Sequence, residues 1–84
     1  MTKDEIIKKI NEIICDYFEN DDIVIDGSDD VEKLIEYQDT YDSLFKITIF
    51  FTIMDHFNIE IPTKDAIKIK TFNEFADKII EYLK

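Results

Sequence analysis

The chain is poor in the residues that interrupt helices, with one glycine and one proline in 84 positions. Sharp turns are therefore scarce, and an all-α fold is expected. A lone cysteine excludes an intramolecular disulfide, and with a single histidine beside it there are too few ligands for a zinc site, so no metal is expected. That cysteine usage fits a reduced, cytoplasmic setting. Positive charge is scarce too: ten lysines face twenty aspartates and glutamates, a formal charge of −10. Such a chain repels phosphate backbones and acidic membrane surfaces, which makes nucleic acid a poor partner. The most apolar run, Leu44 to Met54, is interrupted by Lys46 and falls far below the ~20 residues of a membrane span. The start, Met1-Thr2-Lys3-Asp4-Glu5, lacks the apolar stretch and cleavage site of a signal peptide. A chain of this length buries only roughly 60–65% of its unfolded surface. One small domain over residues 1–84, monomeric and without a two-lobed cleft, is the expectation.

What is present is mostly helical pattern. Thr2 with Glu5 three positions later makes a capping box, and Ile6, Ile7, Ile10, Ile13, Ile14, Tyr17 and Phe18 follow at three- and four-residue spacing. A first helix from about Lys3 to about Glu19 is predicted. From Asp16 to Asp30 there are seven acidic residues and no lysine, together with Asn20, Gly27 and Ser28. This stretch reads as a long irregular connection, in which Ile23-Val24-Ile25 is too apolar for a solvated tether and is expected to fold back on the helices. Val31, Leu34 and Ile35 suit one or two loose helical turns.

A second helix is predicted from Ser43 to about Phe57. Its β-branched and aromatic residues would also suit a strand, but Thr48, Thr52, Asp55 and His56 gather in roughly a third of a helical wheel. Nine of the fourteen residues from Leu44 to Phe57 are apolar, which puts this helix at the centre of the core. Pro62 ends the next segment, and Thr63 to Ile67 allows a short third helix. Thr71 with Glu74 is a second capping box, and Phe72, Phe75, Ala76, Ile79, Ile80 and Leu83 form the stripe of a fourth helix. The expected architecture is a small four-helix bundle, three main helices plus a short third one, with a long first loop.

The informative tripeptide is Asp42-Ser43-Leu44, which puts a serine hydroxyl where a loop becomes a helix. The first amides there lack intrahelical acceptors and the helix dipole is positive, so a phosphodiester on Ser43 would find a ready anion site. By itself the tripeptide reads more readily as a simple cap, since Asp and Ser are both favoured capping types. Its surroundings add to it. Ile47 and Ile53 follow, then Phe57-Asn58-Ile59-Glu60-Ile61-Pro62, Ala66, Ile69 and Thr71. From Tyr41 to Thr71 this series resembles the acyl carrier protein family without a gap, and a looser match covers nearly the whole chain.

The resemblance implies a carrier without catalytic activity of its own. Ser43 would receive a 4′-phosphopantetheine arm from a phosphopantetheinyl transferase using coenzyme A, and acyl-loading and acyl-processing enzymes would follow as partners. Asp42 would help present Ser43 to the transferase, and Leu44 would anchor the first turn and contribute to recognition. Three departures from the family pattern bear on this. Asp39-Thr40 stands where the family usually has Leu-Gly, so the loop must turn without glycine. From Ser43 to Phe57 Lys46 balances Asp55, whereas the family helix is typically acidic on its exposed face. Phe45 takes a polar position of the wheel where the family commonly has an acid. Docking through Leu44, Phe45 and Phe51 rather than ion pairs, in a dedicated pathway, is therefore expected. Phe50, Phe51 and Phe57 are also expected to fill the space in which relatives shelter a long acyl chain. An unmodified carrier-like module used only for protein interaction, and an unrelated helical regulator, stay open as alternatives.

Other constellations carry less. Cys15 follows Ile13 and Ile14 on a core-facing helix, where a small buried cysteine is the common case, and His56 is expected on the surface of the second helix. Asp22, Asp26 and Gly27 do not make a calcium loop, because Val24 takes the third ligand position and Lys33 the twelfth, where a bidentate glutamate is required.

Overall fold

The computed structural model describes residues 2–37 and 45–83. The regular elements of the described chain are all helices: α1 over Lys3–Phe18, a 3-10 helix over Val31–Tyr37, α2 over Phe45–Phe57, α3 over Thr63–Ala66 and α4 over Phe72–Leu83. Among the described residues the only extended pairing is an isolated antiparallel bridge between Asp30 and Thr71.

Both capping boxes form. The Glu5 amide donates to Thr2 Oγ1 at 3.3 Å while the Thr2 amide donates to Glu5 Oε1 at 3.0 Å. At α4 the Glu74 amide donates to Thr71 Oγ1 at 3.2 Å, and Glu74 Oε2 accepts from the amides of Thr71 and Lys70 at 3.2 and 2.7 Å. Each box satisfies amides that would otherwise have no acceptor. The far end of α1 closes without glycine: Glu19 adopts the left-handed region at φ 52° as C-cap. Asn58 does the same after α2 at φ 55°, and asparagine is among the side chains that tolerate it best.

The apolar spacing seats the helices as expected. Ile6, Ile10, Ile13 and Ile14 of α1 and Phe72, Phe75, Ala76 and Ile79 of α4 are buried, and these two helices pack along each other. α2 also packs on α1 and touches α3, α4 and the 3-10 helix. Its run of β-branched and aromatic residues is helical. Ile49, Phe50, Ile53 and Met54 are buried while Thr48, Phe51, Asp55 and His56 are exposed, a pattern of period 3.6 and not of two. The rings of Phe50 and Phe75 meet at 4.4 Å between centroids and join α2 to α4.

Three edges of the apolar reading are corrected. Tyr17 is exposed at the end of α1, where Phe18 instead packs its ring on Tyr37 at 5.9 Å. Ile35 and Leu83 are likewise exposed, each at the rim of its stripe. In the first connection Ile23 and Ile25 are buried as expected, but Val24 between them is 74% exposed. Extended chain points alternate side chains to opposite sides, so a tripeptide laid on a core can bury only two of them.

The first connection is tied down at both ends of its path. Asn11 of α1 donates Nδ2 to the Ile23 carbonyl at 3.0 Å and accepts from the Ile25 amide at 2.6 Å. Farther on, the Asn73 amide donates to the Gly27 carbonyl at 2.8 Å, the Phe72 amide to the Asp29 carbonyl at 3.2 Å and the Val31 amide to the Lys70 carbonyl at 2.8 Å. An acidic segment with no regular structure is thereby held against α1 and the start of α4.

Candidate functional site

Asp42, Ser43 and Leu44 lie outside the described residues, as does the Phe45 side chain, while the Phe45 backbone is the first of α2. The predicted attachment residue therefore precedes the described start of a helix of 13 residues by two positions. The described first turn of that helix holds no acidic residue and carries Lys46, while Asp42 precedes it in the sequence.

Lys46 is half-buried. Its Nζ donates to the Ile67 carbonyl at 3.4 Å and stands 5.7 Å from the centroid of the Phe50 ring. The ammonium thus bridges the first turn of α2 to the end of α3, with the aromatic face as a second, weaker attraction. In the sequence Lys46 stands out as the charge that balances Asp55 and interrupts the most apolar run. That it reaches another element depends on where the turn after α3 brings the Ile67 carbonyl, which no local pattern encodes.

Phe51 is 49% exposed and Ile67 is 55% exposed. Phe51 lies about 60° around α2 from Met54, whose sulfur accepts from the Ile61 amide at 3.2 Å. The exposed ring is consistent with a surface role and corrects the expectation that three phenylalanines fill one internal space. Phe50 is 2% exposed and fills the core, Phe57 is half-buried, and Phe51 stands outside. One helical step of 100° separates Phe50 from Phe51, enough to send adjacent identical side chains to opposite environments.

A groove of about 430 Å³ runs between the end of α3 and α4. Asp65, Lys68, Ile69, Glu74, Asp77, Lys78 and Glu81 line it, so that charged groups and the aliphatic parts of long side chains share its wall.

The remaining candidates separate. Cys15 is half-buried and not fully enclosed; its Sγ donates to the Ile23 carbonyl at 3.3 Å and lies 3.4 Å from Asn11 Nδ2. His56 is exposed on α2, and no hydrogen bond joins it to Cys15 among the described residues. Asp26 belongs to a turn in which its amide donates to Asp29 Oδ2 at 2.9 Å and its carboxylate accepts from Ser28 Oγ at 2.8 Å. Among the described residues no group of three or more histidine, cysteine, aspartate or glutamate side chains could hold a metal ion. No described helix is long and apolar enough to cross a membrane. Asn11 was missed by sequence reading. Its signal was a carboxamide beside Ile10 on the apolar helix α1, one turn before Cys15.

No protein-family model matches the chain. Among curated proteins, it is 29% identical over 82 residues to an acyl carrier protein of Rubrobacter xylanophilus, an alignment that covers 98% of this chain and 96% of that protein. The alignment takes in the series from Tyr41 to Thr71 and nearly all of the chain besides.

Proposed function

We propose that this chain, a relative of the acyl carrier proteins, is itself a carrier that holds an acyl group as a thioester on a 4′-phosphopantetheine arm attached to Ser43. The observation that supports the reading is the similarity to an acyl carrier protein over nearly the whole chain, together with the sequence Asp42-Ser43-Leu44, which precedes Phe45 in the chain. The all-helical chain with its long first connection is compatible with the four-helix carrier arrangement, with residues 1–84 acting as one domain.

The residues present fit the arm. A serine hydroxyl would give the point of attachment, the described first turn of α2 holds no acidic residue, and Lys46 adds a cation three positions from Ser43. When bound, the arm supplies the thiol chemistry; the protein supplies presentation. In this reading Asp42 helps the phosphopantetheinyl transferase approach Ser43, and Leu44 anchors the first turn. Leu44, Phe45 and Phe51 form the face on which acyl-loading and acyl-processing enzymes dock. Phe51 is suited to that role because an exposed aromatic ring offers contact area at low entropy cost. The balance of Lys46 and Asp55 along α2 favours apolar docking and a dedicated set of enzymes.

Intact mass after co-expression with a phosphopantetheinyl transferase tests the reading. A gain of one phosphopantetheine that disappears in Ser43→Ala is the expected result. The same mass with and without several transferases would leave the second reading, an unmodified carrier-like interaction module. That reading is kept open by Asp39-Thr40 standing where the family usually has Leu-Gly.

A further inference from the structure

Residues 22–27 alternate between solvent and core along their whole length: Asp22, Val24 and Asp26 are exposed, while Ile23, Ile25 and Gly27 are buried. A period of two marks extended chain with one face on the core. Only one edge of this short strand is taken. The Asn11 carboxamide donates to the Ile23 carbonyl at 3.0 Å and accepts from the Ile25 amide at 2.6 Å, standing where a neighbouring strand would set its own peptide group. Successive residues of extended chain turn their amide and carbonyl to alternate edges, so those of Val24 face away from Asn11. Among the described residues neither the Val24 amide nor its carbonyl has a hydrogen-bond partner. Val24 is also, at 74%, the most exposed large apolar side chain among them.

From this we infer that the open edge at Val24 receives an extended segment of a basic partner protein by strand addition. The Val24 amide donates to one residue of the incoming chain and the Val24 carbonyl accepts from the same residue, the pairing found at every second position of an antiparallel ladder. On the exposed face Val24 stands between Asp22 and Asp26. The complementary segment therefore carries an apolar residue with lysine or arginine two positions away on either side. Charge selects this occupant. From Asp16 to Asp30 there is no lysine, and the ion pair that reaches the stretch, Lys33 with Asp29, leaves Asp22 and Asp26 uncompensated among the described residues. A second copy of this chain would bring the same carboxylates against them, and like charges on opposing strands disfavour pairing. Asn11 on one side and the Asn73 bond to the Gly27 carbonyl on the other hold the edge extended beforehand, which lowers the ordering cost of binding. The inference goes beyond the carrier reading and draws on none of the residues assigned to the arm.

The probe is an acetylated and amidated peptide, Lys-Thr-Val-Thr-Lys, titrated into the ¹⁵N-labelled protein through the millimolar range, since so short a pairing is weak in water. A control peptide of the same sequence is N-methylated at its valine, which removes the donor meant for the Val24 carbonyl and keeps both charges. The expected result is a saturable downfield shift of the Val24 amide with the first peptide. It should weaken as salt is raised, weaken several-fold in Asp22→Asn, and vanish with the methylated peptide. A methylated peptide that binds as well as its parent overturns the strand pairing, because charge alone then accounts for the attraction. A Val24 amide that stays in place throughout the titration does the same. Equal binding of Glu-Thr-Val-Thr-Glu overturns the basic character of the partner. Val24 shifts that grow with protein concentration in the absence of peptide give the edge to a second copy of the chain and overturn the inference as well.

Discussion

Gly27 and Asn73 are in direct backbone contact, with the Asn73 amide donating to the Gly27 carbonyl at 2.8 Å and the asparagine side chain filling the space that a Cβ on residue 27 would need. A methyl group there would collide with Asn73 Oδ1 and would also meet Ile7 Cδ1 at 2.9 Å. The glycine does not have a positive φ, so its role is close approach and not an unusual backbone angle. This contact fixes the acidic first connection to the start of α4 and brings α1 into the same junction.

Gly27→Ala should therefore destabilise the protein by about 1–3 kcal/mol, the usual range for overpacking. The loss should be smaller when Asn73 is also shortened to alanine, because the two side chains compete for one space. Urea unfolding of the two single variants and the double variant checks this. Strict additivity would mean that the contact is not the source of the loss.

Asn11 joins α1 to the first connection through both ends of its carboxamide, at the Ile23 carbonyl and the Ile25 amide. Asn11→Leu should cost about 1–3 kcal/mol, since it leaves two part-buried backbone groups without that partner. Amide exchange at Ile25 should accelerate more than exchange in α4. Unchanged protection at Ile25 would contradict the assignment.

Phe50 and Phe51 are neighbours with opposite surroundings. Phe50→Ala removes a ring packed on Phe75 and should cost about 3–5 kcal/mol. Phe51→Ala, at a site 49% exposed, should stay within roughly 0.5 kcal/mol of the natural chain. On the proposed carrier reading, the same Phe51→Ala protein should bind acyl-processing enzymes more weakly, and that weakening should depend little on salt. Paired thermal melts and binding isotherms at two ionic strengths separate the two effects.

Stability should fall in acid. Glu5 is held below its ordinary pKa by hydrogen bonding to Thr2, first by the backbone amide and then by the hydroxyl. Asp29 is lowered chiefly by the Asp26 amide, with Lys33 adding to it. Glu74 is lowered by the amides of Lys70 and Thr71. In each case the unfolded chain binds a proton more readily than the folded one. The stabilisation is complete above the unfolded carboxylate range and is lost as pH falls through the lower folded values. Glu74→Gln keeps an amide acceptor without the titrating charge, so its melting temperature should decline less steeply than that of the natural chain below the ordinary carboxylate range.

Much of the helical layout was legible in order. Thr2 with Glu5 and Thr71 with Glu74 marked two helix starts because a capping box is completed within four residues. The spacing of Ile6, Ile10, Ile13 and Ile14, and of Phe72, Phe75 and Ile79, marked the buried faces for the same reason: helical periodicity is a property of the local chain. For α2 the hydrophilic positions decided against a strand, although residue type alone favoured one. The proposed site rests on the chemical series from Asp42 to Pro62, and Ser43 itself lies outside the described residues.

The sequence alone determined that charge is overwhelmingly negative, which is a matter of composition, and where capped helices begin and which stripes turn inward, since these follow from residues a few positions apart. Tertiary structure decided the rest. It placed Asn11 on the backbone of residues 23 and 25, set Gly27 against Asn73, carried the Lys46 ammonium to the Ile67 carbonyl and left Phe51 and Val24 outside. Those relationships join residues distant along the chain or depend on how neighbouring elements pack, so they exist only once the helices have closed on one another.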